Sequence, residues 1–221
     1  MILVVFAMDF ESTHFRSAFK HLNVDTCVFQ SIGATVANDL DRVIRKNKYL
    51  LVILAGFAGG LSSRFRIGDV ILDQNHTTPE ILEIFREKGP HFYFGKNVTV
   101  EKMIDSSTKK RDLHRQTSAD CCDMEASHIH ALTSRHGIPM LSVRAISDTA
   151  DQDLVIPSEV LINPSTLRPD IRRLSRHLLA NPAHIPALLK MARNAWIAQR
   201  KLSEALGRRI IPPLLPLVRF S

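Results

Sequence analysis

Short apolar segments alternate with segments of helical periodicity over the first two thirds of the chain, and this alternation restricts the fold more than any other feature. Apolar runs predict buried strands because a strand covered on both faces shows no polar alternation. They lie at residues 2–8, 24–29, 49–54, 70–72 and 139–146. Apolar spacing of three and four predicts helices at residues 15–22, 36–44, 79–88 and 124–136. Strands separated by helices predict an α/β layered fold around a central sheet.

Carboxylates stand where predicted strands give way to helices. Glu11 follows the first strand, Asp148 and Asp151 follow the last, and Glu125 begins the helix that ends at Gly137. In open α/β sheets, ligands bind beyond the carboxyl ends of the strands. Each acid alone has a structural alternative, such as a helix N-terminus or an ion pair with Arg144. Three acids at three such junctions predict one shared site.

The segment Gly56-Phe57-Ala58-Gly59-Gly60 predicts a turn after the third strand, where backbone can approach a ligand closely. The phosphate-binding patterns Gly-x-x-x-x-Gly-Lys and Gly-x-Gly-x-x-Gly are absent from the sequence, which excludes the common kinase and dinucleotide-dehydrogenase motifs. His128 stands three residues after Glu125, but no second such pair and no Cys-x-x-Cys accompany it. The sequence therefore predicts no metal site.

The positive charge of the chain is concentrated in its tail. Residues 171–221 hold ten Lys and Arg residues and a single acid, Glu204, whereas residues 1–170 hold 19 basic and 21 acidic residues. Nucleic acid is therefore not an expected partner of the whole chain. Three cysteines, two of them adjacent, make a poor disulfide framework and predict a reducing cytoplasm. No apolar run reaches the roughly 18 residues of a membrane span.

Five motifs occur in the order and spacing of one enzyme family. They are Ala7-Met8-Asp9-Phe10-Glu11, Ser31-Ile32-Gly33, the segment 56–61 with 67–70, Asp123-Met124-Glu125-Ala126, and Val143-Arg144-Ala145-Ile146-Ser147-Asp148-Thr149-Ala150-Asp151. Together they resemble the purine nucleoside phosphorylase and methylthioadenosine/S-adenosylhomocysteine nucleosidase superfamily. The resemblance spans residues 1 to about 157. It implies a single-domain, three-layer fold with a central mixed sheet, an enzyme that cleaves the N-glycosidic bond of a purine nucleoside, and a homo-oligomer.

The resemblance also implies roles for individual residues. Asp148, steadied by Ser147, would protonate the purine, Glu125 and the backbone at Met124 would orient the ribose, and Glu11 would activate water. Further substrate-binding residues would surround these groups: Met8, Ile32, Phe57, Ala58, Gly59, Met103, Asp123 and Arg144. No cofactor is implied. A sensing module of the same fold without turnover is the alternative, against which the three intact carboxylates argue.

The nucleophile stays open between water and inorganic phosphate. The arginine with which the phosphorylases hold phosphate is absent from residues 52–55, and Glu11 is present as in the hydrolases; both favour water. However, the segment 181–189 resembles the hopanoid-associated phosphorylases, which release adenine from an adenosyl-linked triterpenoid. Phosphate is thus a candidate co-substrate, and an adenosyl hopanoid is a candidate substrate.

The tail predicts a basic amphipathic extension, residues 166–221, after a catalytic domain at residues 1–165. Ile185, Leu188, Leu189, Ala192 and Trp196 fall on one helical face, beside Lys190, Arg193, Arg200 and Lys201. Such a helix is typical of an element that lies on a membrane surface. A terminal helix packed on the core or on another subunit is the structural alternative. The expected location is the cytoplasm. If the tail lies on a membrane, the expected surface is the inner face of that membrane.

Overall fold

The computed structural model describes residues 1–29, 33–88, 92–163 and 168–219. Its strands are β1 (Ile2–Phe6), β2 (Asp25–Val28), β3 (Leu51–Gly60), β4 (Val70–Asp73), β5 (Tyr93–Gly95), β6 (Asn97–Thr99), β7 (Cys121–Asp123), β8 (Met140–Asp148), β9 (Ile162–Asn163) and β10 (Arg168–Pro169). Its α-helices are α1 (Asp9–Ala18), α2 (Ala34–Ile44), α3 (Pro79–Lys88), α4 (Ser107–Thr117), α5 (Ala126–Arg135), α6 (Ser158–Leu161), α7 (Ile171–Ala180), α8 (Ile185–Ala205) and α9 (Ile211–Arg219). A 3₁₀ turn (Pro182–His184) precedes α8, and a π-helical turn (Leu206–Ile210) joins α8 to α9.

Within the described residues the centre of the fold is an eight-stranded mixed sheet of order β2-β1-β3-β8-β4-β5, to which β7 and β6 are added beside the end of β3. Strands β2, β1, β3 and β8 are parallel, and β4 and β7 are antiparallel to their neighbours β8 and β3. The parallel strands are rich in Val, Ile and Leu because helices cover both of their faces. Their carboxyl ends lie side by side at one edge.

Two apolar layers pack against the sheet. On one face, Phe6 and Phe15 belong to a core that also holds Ala198, Leu202 and Leu206 of the C-terminal helices. On the other face, α2 and α5 pack against β1 and β3 through the buried residues Leu3, Val5, Val36, Leu40, Val52, Leu54, Ile129 and Leu132. The predicted three-layer α/β fold with a mixed central sheet is therefore confirmed.

The third strand does not end at Gly56 as the sequence predicted, but continues to Gly60. It pairs with β8 as far as Gly59, with a register shift between Ala58 and Gly59. The glycines serve a different purpose from a turn. A Cβ at Gly56 would stand 2.8 Å from Nη1 of Arg144 and 3.0 Å from Oε1 of Glu11, and a Cβ at Gly59 would stand 3.2 Å from Oδ2 of Asp148. The side chains of Arg144, Glu11 and Asp148 thus occupy the space that a side chain at Gly56 or Gly59 would otherwise fill.

The first helix begins and ends earlier than the predicted range of residues 15–22, because it starts at Asp9. It ends at Ala18, and Phe19 takes a non-helical backbone conformation at its C-cap. Phe19 still packs into the core, where it lies against Phe15 with ring centroids 5.9 Å apart. The apolar spacing that suggested more helix thus marks a packed residue just beyond the helix end.

The C-terminal helices share the core of the preceding residues. One side of α8 is buried against the sheet and α1 through Ala198 and Leu202, and Leu206 and Ile210 continue this contact beyond the helix. The predicted apolar face of α8 lies on the other side, where Leu189 and Trp196 are exposed. Helix α8 therefore packs on the core, but through a face other than the apolar face that the sequence predicted. The boundary at residue 165 stays a prediction.

None of the helices in the described ranges is long and apolar enough to cross a membrane.

Candidate active site

A pocket of about 170 Å³ opens at the carboxyl ends of β1, β3 and β8. It holds the predicted carboxylates Glu11, Glu125 and Asp148 together. The other predicted residues in its lining are Met8, Phe57, Ala58, Gly59, Met103, Asp123, Met124 and Ser147. Ala7, Val100, Ile104, Cys122 and Leu154 complete it. Residues far apart in sequence therefore form one predominantly apolar pocket with acidic groups at several points of its wall.

Glu11 is held rigidly in the first turn of α1. Its Oε2 accepts a hydrogen bond of 3.1 Å from the backbone N–H of Met8, the residue that precedes the helix, and its Oε1 accepts one of 2.8 Å from the backbone N–H of Phe57. Burial raises the pKa of Glu11 above its ordinary value of 4.5, against the opposing effect of the N–H groups and of Arg144. A buried carboxylate with a raised pKa is suited to accept a proton.

Glu125 lies at the N-cap of α5 rather than within its first turn, and its side chain does not cap the helix. Oε1 instead accepts a hydrogen bond of 3.2 Å from the backbone N–H of Gly33. Gly33 has a φ of +65°, which L side chains rarely adopt, so glycine is needed where α2 begins. Burial, with the charge of Asp123, raises the pKa of Glu125 to about 8.

Asp123, in the wall of the pocket, and Arg144, behind that wall, form a buried pair. The oxygens of Asp123 accept hydrogen bonds from Thr99 Oγ1 at 2.8 Å and the Ala126 N–H at 3.0 Å, and Asp123 also forms an ion pair with Arg144. Arg144 is 1% exposed and does not appear in the pocket wall. It was predicted as a substrate-binding residue, and its observed contacts place it behind the wall beneath Gly56.

Asp148 has both carboxylate oxygens engaged. The Ser147 hydroxyl donates to Oδ1 at 2.9 Å, and the Lys110 ammonium forms an ion pair with Oδ2. The structural alternative of an Asp148–Arg144 pair is therefore wrong, because Arg144 pairs with Asp123. Asp151, the other acid after β8, is exposed and accepts a hydrogen bond of 2.6 Å from the Thr149 hydroxyl outside the pocket.

A second cavity of about 310 Å³, hereafter the apolar vestibule, adjoins the pocket. The two cavities share Met8, Phe57, Met103, Ser147, Asp148 and Leu154. The outer wall of the vestibule comes from the later helices, through Leu161, Asp170, Ile171, Leu174, Met191 and Ala195. The C-terminal helices thus contribute directly to the surroundings of the site.

Sequence reasoning found most of the pocket but missed Lys110. Lys109-Lys110-Arg111 reads as a solvated helix face, and nothing in the pattern separates the middle residue from its neighbours. Ile32 and Ser31 lie outside the described residues. Among the residues that are described, no group of three or more His, Cys, Asp or Glu side chains could hold a metal ion.

The Glu125→Gln variant should gain stability at alkaline pH. A carboxyl whose pKa rises from 4.5 to about 8 on folding stabilises the protein below pH 4.5 and loses that contribution as the pH rises through 8. Gln can still accept the Gly33 N–H but does not titrate. Urea unfolding measures the free energy of unfolding at pH 5.5 and at pH 9. Between these pH values we expect it to decrease by a few kcal/mol less in Glu125→Gln than in wild type.

Glu101→Gln, at an exposed glutamate, is the matched control and should follow the wild-type pH dependence. Equal pH dependence in Glu125→Gln and wild type would contradict the burial of an ionisable carboxyl at this position.

Comparisons with known proteins agree with this architecture. Residues 73–179 match the sequence model of the phosphorylase superfamily. A search of curated proteins finds no match to the chain. Solved structures with the same fold include futalosine hydrolase of Helicobacter pylori, with 15% identity, a TM-score of 0.66 and coverage of 93% of this chain and 94% of that one.

Two nucleosidase structures are similarly close. A putative 5′-methylthioadenosine/S-adenosylhomocysteine nucleosidase from Borrelia burgdorferi, bound to adenine, has 16% identity and a TM-score of 0.67, covering 99% of this chain and 100% of that one. S-adenosylhomocysteine nucleosidase from Streptococcus pyogenes, in complex with 5-methylthiotubericidin, has 15% identity and a TM-score of 0.65, covering 93% and 94%. At this identity the likeness establishes the fold.

Proposed function

We propose that this chain, whose residues 73–179 match the sequence model of the phosphorylase superfamily, is an enzyme that hydrolyses the N-glycosidic bond of a purine nucleoside. The observation that carries the proposal is the meeting of Glu11, Glu125 and Asp148 in one pocket. Similar structures belong to nucleosidases, one of them bound to adenine. The competing function, a sensing module without turnover, would not need three buried or half-buried acids.

The proposed reaction divides the work among these acids. As the C1′–N9 bond breaks, its electron pair moves into the purine, which takes a proton at N7 from the Asp148 side of the pocket. The ribose gains oxocarbenium character, and Glu125 with the Met124 backbone holds its hydroxyl groups. Water attacks C1′ and gives a proton to Glu11. Carboxylates that flank the scissile bond are the general arrangement for glycoside hydrolysis.

The charges of the pocket support water as the nucleophile. Among the described residues of its wall there are four acids and no Lys, Arg or His. Both buried cations beside it are already paired, Arg144 with Asp123 and Lys110 with Asp148. A phosphate dianion normally needs an arginine or lysine to hold it. Phosphate is therefore the less favoured of the two candidate nucleophiles.

The apolar vestibule supports a large apolar 5′ substituent on the substrate. It adjoins the pocket at Met8, Phe57 and Met103, away from Glu125. Leu161, Ile171, Leu174 and Met191 extend its apolar wall outward. An adenine nucleoside linked to a triterpenoid, as in an adenosyl hopanoid, combines a purine with such a substituent, and we propose it as the natural substrate.

A series of 5′-alkylthioadenosines tests this assignment, together with adenosine and an adenosyl hopanoid. We expect kcat/KM for adenine release to rise with chain length, by up to about fourfold per buried methylene at roughly 0.8 kcal/mol each. Leu174→Ser, in the vestibule wall, should flatten this dependence, whereas Leu179→Ser, at a side chain 85% exposed, should leave it unchanged. No dependence on chain length in the wild type would contradict the apolar substituent.

We further propose that the outer face of α7 and α8, hereafter the α7–α8 surface, contacts an anionic membrane. Its apolar side chains are strongly exposed: Ile171 by 76%, Leu179 by 85%, Ile185 by 44%, Leu189 by 64% and Trp196 by 51%. Basic side chains stand beside them on the same helices: Arg172, Arg173, Arg176, Lys190, Arg193 and Arg200. Apolar residues interspersed with cations complement the interface of an anionic bilayer.

Flotation with phosphatidylcholine vesicles, with and without phosphatidylglycerol, measures this contact. We expect binding that needs the anionic lipid, weakens at high salt and is largely lost in Leu189→Ser/Trp196→Ser. The control is Leu50→Ser, at an exposed leucine just before β3, at the opposite end of the strand from the pocket. Flotation that is insensitive to the double change, or a face that instead joins two copies in sedimentation, would contradict membrane contact.

A further inference from the structure

Lys110 is a fully buried lysine in the middle of a solvated helix. Its neighbours Lys109 and Arg111 in α4 are exposed, whereas Lys110 is 0% exposed. Its ammonium forms an ion pair with Asp148 Oδ2 and donates hydrogen bonds to the Thr149 carbonyl at 2.9 Å and the Gln152 carbonyl at 3.1 Å. Three donors thus meet three acceptors. Burying an ammonium carries a large desolvation penalty, so its position calls for a reason beyond packing.

Asp148 connects Lys110 to the pocket. The carboxylate lines the pocket and the vestibule, and Lys110 lines neither. The Ser147 hydroxyl fixes Oδ1, while Oδ2 faces both Lys110 and the backbone of Gly59, where a Cβ would come within 3.2 Å. A proton that leaves Lys110 toward the substrate must therefore pass through this carboxyl group.

Resting on the proposed function, we infer that Lys110 supplies the proton that Asp148 delivers to the departing purine. A carboxylate that is ion-paired with an ammonium carries no proton of its own, whereas the ammonium beside it carries three. The ion pair stores that proton next to the reacting group. The hydrogen bond from Ser147 holds the Asp148 carboxyl group in place while the proton is transferred.

The step balances as two linked transfers. An Nζ–H bond of Lys110 breaks as an O–H bond forms on Asp148. This O–H bond then breaks as N7–H forms, while the electron pair of the C1′–N9 bond moves into the purine. Lys110 is left as a neutral amine that still donates hydrogen bonds to the carbonyls of Thr149 and Gln152. After the base leaves, a solvent proton returns through Asp148.

Among the described residues, the charged or titratable side chains near the pair include Cys122 of β7, Arg111 of α4, and Asp151 and Asp153 of the loop after β8, with Lys190 of α8 beside Asp151. Burial raises the pKa of Cys122 to about 12, so its thiol stays protonated. Hydrogen bonds from Thr149 and Ser107 lower the pKa values of Asp151 and Asp153, so both stay ionised. None of these neighbours competes to store the proton at neutral pH.

The test compares two leaving groups in Lys110→Met. On a purine nucleoside we expect kcat at pH 7.5 to fall by about 10²–10³-fold, within the range for general acid catalysis. The rates of variant and wild type are compared at pH 5 and at pH 7.5. On 4-nitrophenyl β-D-ribofuranoside, whose leaving group departs without a proton, the variant should stay within about threefold of wild type.

Lys110→Arg keeps the inference testable if Lys110→Met folds poorly. Arginine retains the cation beside Asp148 but does not release a proton near neutral pH, so it should lose purine release while a thermal melt shows a folded chain. Wild-type rates in Lys110→Arg, or equal losses on both leaving groups at every pH, would overturn the proton-donor role. A wild-type enzyme that releases no purine at all would contradict the proposed function itself.

Discussion

Asp148→Asn should lower kcat for purine release by about 10²–10⁴-fold, because an amide cannot pass a proton to the leaving base. The effect should be confined to kcat, since Asn can still contact the purine and keeps the Ser147 hydrogen bond through its oxygen. Steady-state kinetics of base release at pH 7 measures it. The 4-nitrophenyl riboside should again be spared, which separates proton transfer from general damage to the pocket.

The same substitution should also lower the free energy of unfolding. Asp148→Asn leaves the buried Lys110 ammonium without its counter-charge, and removing one partner of a buried ion pair typically costs about 3–5 kcal/mol. Asp148→Asn/Lys110→Met removes both charges and should recover much of the free energy of unfolding without recovering activity. Activity close to wild type in either variant would contradict the role of Asp148.

Glu11→Gln should lower kcat by a comparable factor, about 10²–10⁴-fold, because the water then lacks a base. Glu11→Asp is the matched control: it keeps a carboxylate but withdraws it by one methylene from the N–H groups of Met8 and Phe57. We expect Glu11→Asp to retain more activity than Glu11→Gln. The opposite order would mean that Glu11 acts by shape rather than as a base.

The pH dependence of kcat/KM tests the role of Glu11 independently. Glu11 must be ionised to accept a proton, and burial raises its pKa above 4.5. Activity should therefore fall, as the pH decreases, at a pH above that of an ordinary glutamate. A profile of kcat/KM that stays flat down to pH 4.5 would exclude Glu11 as the base.

The layered fold could be predicted because each buried strand shows its burial in composition. The run that became β1 is entirely apolar, the run that became β8 is interrupted only by Ser142 and Arg144, and the helices between strands keep their three-and-four spacing. Glu11 and Asp148 could be placed together because each follows a strand of the parallel part of the sheet, and parallel strands end at one edge. Glu125 could be added because it begins a helix and belongs to one of the five family motifs. Order along the chain therefore specified this part of the site.

The parts that could not be predicted depend on contacts distant in sequence. Gly56 and Gly59 were taken for a turn, but they lie in a strand whose lack of side chains makes room for Glu11, Arg144 and Asp148. The burial of Lys110 depends on where α4 meets the loop after β8, which a local pattern does not encode. The vestibule likewise depends on the packing of α7 and α8 beside the pocket, because these helices supply its outer wall.

In the proposed function, three acidic side chains in one pocket bring about hydrolysis of a purine nucleoside. The most direct test is to incubate the wild-type protein with adenosine and a 5′-alkylthioadenosine, with and without ³²P-labelled phosphate, and to identify every product. We predict free adenine and the free sugar, at a rate that does not depend on phosphate and with no labelled sugar phosphate. A labelled sugar 1-phosphate would replace water by phosphate as the nucleophile. No adenine from either nucleoside under any condition would contradict the account as a whole.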